Sequence, residues 1–192
     1  MLLDFGFFLT SILLGVALAV DAFSVSCADA FAEPDMSKSK GIAIALTFGI
    51  FQFAMPVIGW VCVHTIAERF EAFQKFIPRI GFILLLYIGG KMLIEGLKKK
   101  NEENPEVKRL GFGLLMVQGI ATAIDALSVG FTTASYNFSA ALISSLIIAL
   151  VTFVICIFGI FLGKKIGKAL SNYASIFGGV ILILIGIKIL LG

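Results

Sequence analysis

Charge is what this sequence has least of. Only 14% of its 192 residues are charged against 59% hydrophobic, and the mean hydropathy is +1.07. A water-soluble domain carries roughly 25% charged residues, so this chain is too apolar to hide its greasy surface in a core of its own. It reads as an integral membrane protein. Long polar stretches are also missing, which leaves no room for a soluble catalytic domain and puts any chemistry inside the helical bundle. Soft metal ligands are scarce: there is one histidine, His64, near a helix end, and the three cysteines, Cys27, Cys62 and Cys156, show no C-x-x-C pairing. A disulfide framework, a redox pair and a zinc or copper site are therefore not indicated. No basic residue precedes the first apolar run, so although "SCADAFA" offers small residues for cleavage, the run is expected to be a span and not a signal peptide.

What is present is a series of apolar stretches, each near the roughly 20 residues that cross a bilayer as a helix. Six fall at about residues 5–31, 41–67, 80–97, 110–134, 139–163 and 173–191. A β-barrel would instead show segments of about ten residues alternating in polarity. Ten Lys and Arg fall in the first, third and fifth connections and three in the second, so the positive-inside rule places both termini outside. The one hydrophilic linker, "KKKNEENPEVKR" over 98–109, divides the chain into a first unit 1–97 and a second 110–192.

The two units resemble each other. "LAVDAFSVS" around Asp21 has a counterpart 104 residues on in "TAIDALSVG" around Asp125. In the same order, "QFAMPVIGW" matches "TFVICIFGI" and "YIGGKMLI" matches "LIGIKILL", at offsets of 100 and 97. Three spans per unit is an odd number, so the second unit enters the membrane from the opposite side. The expected fold is all-α, six transmembrane helices in two inverted three-helix repeats, with Asp21 and Asp125 approaching each other near the bilayer centre.

An ionised carboxylate in lipid at that depth costs about 3 kcal/mol or more, so a matched pair is better explained by a shared ligand than by two accidents. Taking about 100° per residue, Gln118, Thr122, Asp125, Ser128 and Thr132 fall on one helical stripe, while the first span contributes mainly Asp21 and Ser24. Glu95 is a third acid within membrane reach, open to an ordinary ion pair with Lys91 one turn away. Gln52 is either an interhelical hydrogen-bonding residue or an oxygen ligand, and Pro56, one turn on, frees a main-chain carbonyl. Carboxylate, amide and hydroxyl oxygens make a hard site suited to Mn²⁺, Mg²⁺ or Ca²⁺, with the metal as transported substrate and not as a cofactor.

The blocks "VDAFSVS", "FGIFQFAMPVIGW", "GGKMLIEG" and "ATAIDALSVG", in this order and over essentially the whole chain, resemble those of the MntP family of manganese efflux pumps. The resemblance implies a six-span bacterial inner-membrane exporter of Mn²⁺, not an enzyme, within a wider grouping that includes amino-acid exporters. It carries the family's acidic residues onto Asp21, Glu95 and Asp125. Some members have glutamate where this chain has Gln52, which would leave this site with one charge fewer.

The expected metal-binding set is Asp21, Asp125, Glu95, Gln52, Ser24, Thr122 and Ser128. The expected partners are Mn²⁺, the lipid bilayer and protons as counter-ion, with no nucleic acid. Another divalent cation or a cationic small molecule such as an amino acid is the alternative substrate. An intramembrane aspartyl hydrolase is disfavoured because neither aspartate lies in a G-x-G-D context.

Overall fold

The computed structural model describes residues 4–74 and 111–169, with isolated helical positions between 79 and 97 and between 176 and 187. Glu95, the linker 98–109 and most of the expected third and sixth spans lie outside the described residues. Among those described, every regular element is an α-helix: α1 (Phe5–Ala32), α2 (Lys38–Gln74), α3 (Phe112–Ala123), α4 (Ala126–Thr132) and α5 (Phe138–Ala169). The segments Phe5–Ala32, Lys38–Thr65 and Phe138–Gly167 are each long and apolar enough to cross a membrane.

Side chains fix the helix starts. Asp4 Oδ1 accepts from Phe7 N at 2.9 Å, Ser37 Oγ from Lys40 N at 3.1 Å, and Asn137 Oδ1 from Ala140 N at 2.8 Å. Each supplies an acceptor for one of the donors a helix start leaves open. Between α1 and α2 the chain turns at Pro34 and Asp35. Lys40 pairs there with Glu33 at 2.5 Å, and Lys164 Nζ of α5 donates to Met36 O at 2.6 Å. The α1–α2 turn and the far end of α5 are thereby tied together, bringing basic residues of the first and fifth connections to one end. At the other end Trp60 Nε1 donates to Tyr136 O at 3.1 Å, and Phe7 packs on Tyr136, an aromatic grouping of the kind found at membrane interfaces.

Large apolar side chains face outward, among them Ile50, Val154, Phe158 and Phe161, each more than half exposed. The inward surface is small-residue and polar. Lipid is as apolar as leucine, so these helices gain little from hiding hydrophobic area from one another and must gain from close approach. Glycine makes the approach possible. On α5, Gly159, Gly163 and Gly167 recur every fourth residue against the carbonyls of Phe23, Cys27 and Phe31 of α1. A Cβ at Gly159 would lie 2.9 Å from Phe23 O and one at Gly167 2.6 Å from Phe31 O, while one at Gly163 would collide with Cys27 O. Where α2 crosses α4, Gly59 and Gly130 meet so closely that a Cβ on either would strike the other helix's backbone.

These contacts set the directions. Ser11, Phe23 and Phe31 of α1 meet Ser144, Gly159 and Gly167 of α5 in the same order, so α1 and α5 run parallel. Phe51, Gln52 and Gly59 of α2 meet Gly119, Thr122 and Leu127 in the same order, so α2 runs parallel to α3 and α4.

The expected fourth span, a single helix over 110–134, is instead two helices. The chain turns at Ile124 and Asp125, and Ser128 N donates to Asp125 O at 2.9 Å, one residue tighter than an α-helical bond. In α2, by contrast, the helix runs through Pro56 unbroken.

Candidate functional site

The polar interior runs along the seam where α1, α2 and α3 meet. At its middle stands Gln52, with no solvent exposure. Its Nε2 donates to Leu18 O at 3.3 Å and to Thr122 O at 3.4 Å. Leu18 precedes Asp21 by three residues and Thr122 precedes Asp125 by three, so one amide joins carbonyls at matching positions before the two aspartates. Asp21 is 6% exposed and Asp125 is half-buried at the break between α3 and α4. Gln52 Oε1 is buried with no hydrogen-bond partner among the described residues. Pro56 has no N–H to offer Gln52's main-chain carbonyl, so both oxygens of this residue lack their ordinary donors.

The other expected ligands divide. Thr122 is buried at 1% exposure; its Oγ1 donates to Gln118 O at 2.9 Å, a bond that leaves its lone pairs available. Ser24 is half-buried and donates to Val20 O at 2.8 Å within its own helix. Ser128 and Thr132 are exposed. The stripe expected from Gln118 to Thr132 therefore ends at Asp125, because the turn at Ile124–Asp125 resets the helical phase on which the stripe depends. Glu95 lies outside the described residues. Among those described, no three His, Cys, Asp or Glu side chains gather in one place. Asp21, Asp125, the Gln52 amide oxygen and the Gln52 main-chain carbonyl that Pro56 leaves without its donor are all hard oxygen donors.

A second buried polar pair is absent from the expected set. Asp29, two turns beyond Asp21 on α1, is 3% exposed, and Gln118 Nε2 of α3 donates to its Oδ1 at 2.8 Å. Gln118 has no exposure. Asp29 Oδ2 and Gln118 Oε1 are both buried without hydrogen-bond partners among the described residues. The available signal was a second carboxylate in the same apolar run. Asp29 has no acid at the matching place in the second unit, where the 104-residue offset falls on Thr133, so the repeat does not mark it.

Crossing helices that carry outward-facing apolar side chains and bury carboxylates and amides between them define a multi-pass helical membrane protein. Comparison with known proteins gives the family. The family model described as "Putative manganese efflux pump" (Mntp) matches residues 35–190, and this chain belongs to that family. Similar proteins include one from Clostridium perfringens (strain SM101 / Type A), 41% identical over 95% of this chain and 93% of that protein. Another, from Methanobrevibacter smithii, is 44% identical over 94% of this chain and 95% of its own length. A third, from Methanosphaera stadtmanae, is 42% identical over 96% and 99%. All three carry the name "Putative manganese efflux pump MntP". No solved structure matches the chain.

Proposed function

We propose that this protein exports Mn²⁺ from the cytoplasm as a secondary transporter, holding the ion between Asp21 and Asp125 with Gln52 Oε1 as a neutral oxygen ligand. The observation that carries the reading is the Gln52 bridge: its amide nitrogen ties together the turns that bear the two aspartates, and its oxygen is buried without a donor among the described residues. A divalent cation supplies what an uncompensated buried acceptor lacks. The turn at Asp125 adds a broken-helix end of the kind transporters use for cation binding. Exposure argues for leaving Ser128 out of the ligand set.

Six spans in two inverted repeats are part of this proposal. Three features support it. The first is that α2 and α3 run parallel, as two helices separated by one further crossing would. The second is the match of contacts at the repeat offsets: Gly59 approaches Leu127 O, and Gly159, 100 residues on, approaches the O of Phe23, the residue 104 before Leu127. The third is that Gln52 and Thr152, equivalent at the same offset of 100, are both fully buried polar residues. The basic end of the bundle, with Lys40 and Lys164 at the α1–α2 turn, is the cytoplasmic one.

Moving two positive charges outward against 100 mV, negative inside, costs about 4.6 kcal/mol before any concentration gradient, so export requires a coupled source of energy. Two aspartates that release the metal when protonated from outside exchange two protons for one Mn²⁺ without net charge movement. The test is Mn²⁺ titration of the purified protein with Mg²⁺ and lysine as competitors. Saturable Mn²⁺ binding that Mg²⁺ displaces weakly and lysine not at all is expected; displacement by lysine in preference to Mg²⁺ would assign the acids to a cationic small molecule.

A further inference from the structure

We infer that Asp29 and Gln118 form a second cation site, a cytoplasmic station that a divalent ion occupies before it reaches Asp21 and Asp125. The inference rests on the transport reading above and adds to it a site and a sequence of occupation.

Position is the first argument. Asp29 lies eight residues beyond Asp21 on α1, about 12 Å along the helix at 1.5 Å per residue. Gln118 lies seven residues before Asp125 on the antiparallel α3, so the pair occupies the same α1–α3 seam as the central aspartates. Its displacement is toward the α1–α2 turn, the end that carries Lys40 and Lys164. An ion taken from the cytoplasm meets this level first.

Chemistry is the second. Asp29 is buried, yet among the described residues its carboxylate is hydrogen-bonded by a neutral amide, and the Lys40–Glu33 ion pair at the nearby α1–α2 turn does not include it. The amide nitrogen is already committed to Oδ1, which leaves Oδ2 and Gln118 Oε1 as two buried acceptors on adjoining groups. In the absence of metal, a single proton on Oδ2 donated to Gln118 Oε1 satisfies both acceptors, and a metal entering the site takes that proton's place. A cation coordinated by both oxygens satisfies the two together and neutralises the carboxylate. One charge and one amide hold a divalent ion more weakly than two aspartates do, which suits a station that must pass the ion on.

The test uses inside-out membrane vesicles, in which Mn²⁺ added outside meets the cytoplasmic face. Asp29→Asn, nearly isosteric, should raise the half-saturating Mn²⁺ concentration about tenfold, with a much smaller effect on the maximal rate. Gln118→Glu, which adds a charge, should shift it the opposite way and slow the maximal rate by holding the ion longer. These opposed shifts are not what loss of packing produces, and Gln118→Glu reads the site even if Asp29→Asn does not assemble. In a second measurement, purified Asp21→Asn/Asp125→Asn protein should retain weak Mn²⁺ binding by electron paramagnetic resonance, and Asp29→Asn added to it should abolish that binding. An unchanged half-saturation in Asp29→Asn, a loss confined to maximal rate, or residual binding indifferent to Asp29 would each overturn the station. Full transport by Asp21→Asn would instead overturn the central site, a result separable from these.

Discussion

Gln52 shows how much one side chain can hold in a low-dielectric interior. Its nitrogen donates to two carbonyls from different helices, which an ionised carboxylate could not do, and its oxygen stays available. Gln52→Leu keeps the volume and removes both functions. It should lower stability by about 1 kcal/mol, a typical value for interhelical hydrogen bonds in membranes, read as a fall in the thermal midpoint of the purified protein. Mn²⁺ affinity should fall much further, since the variant loses a ligand as well as a tie. Ser128→Ala is the contrasting case: Ser128 is exposed, and cells carrying the variant should tolerate manganese as the unaltered protein does. The acids in the repeated blocks and the glutamine between them were legible in the sequence, because each is polar where lipid surroundings demand a reason. Asp29 was not singled out, for it has no partner in the repeat, and only the contact from Gln118 reveals its setting.

At the scale of elements, the helices are held by backbone proximity that only glycine allows. A side chain at Gly163 collides with Cys27 O and comes within 2.9 Å of Ala30 Cβ, so Gly163→Val should force α1 and α5 apart and reduce the amount of folded protein recovered from membranes. Gly113 on α3 has nothing within 4 Å of its Cβ position. Gly113→Ala should be neutral or stabilise by up to about 1 kcal/mol through helix propensity alone, measured by thermal unfolding in detergent. Apolar runs locate α1, α2 and α5 to within a few residues at most boundaries, since length and hydropathy are sufficient signals for a span. They do not report the turn at Ile124–Asp125. Those residues sit inside an apolar run without proline, and the break is visible only once Ser128 N is seen to bond Asp125 O. The same blind spot extended the polar stripe to Ser128 and Thr132, because periodicity presumes an unbroken helix.

At the scale of the whole molecule, the account requires that the first, third and fifth connections share the cytoplasm. Cysteine-labelling at Lys99→Cys and Lys165→Cys in a cysteine-free background should mark the same side of the membrane; labelling from opposite sides would contradict the inverted arrangement. The central claim is that the two aspartates hold the ion. Asn preserves the oxygen and nearly the volume while removing the charge, and a neutral amide is less costly in the bilayer, so Asp21→Asn and Asp125→Asn should both reach the membrane. The direct measurement is intracellular manganese in metal-stressed cells expressing each variant at matched membrane levels. The account predicts that either substitution raises cellular manganese to the level of cells lacking the protein, with the double substitution little worse; substantial efflux by either Asn variant would contradict it.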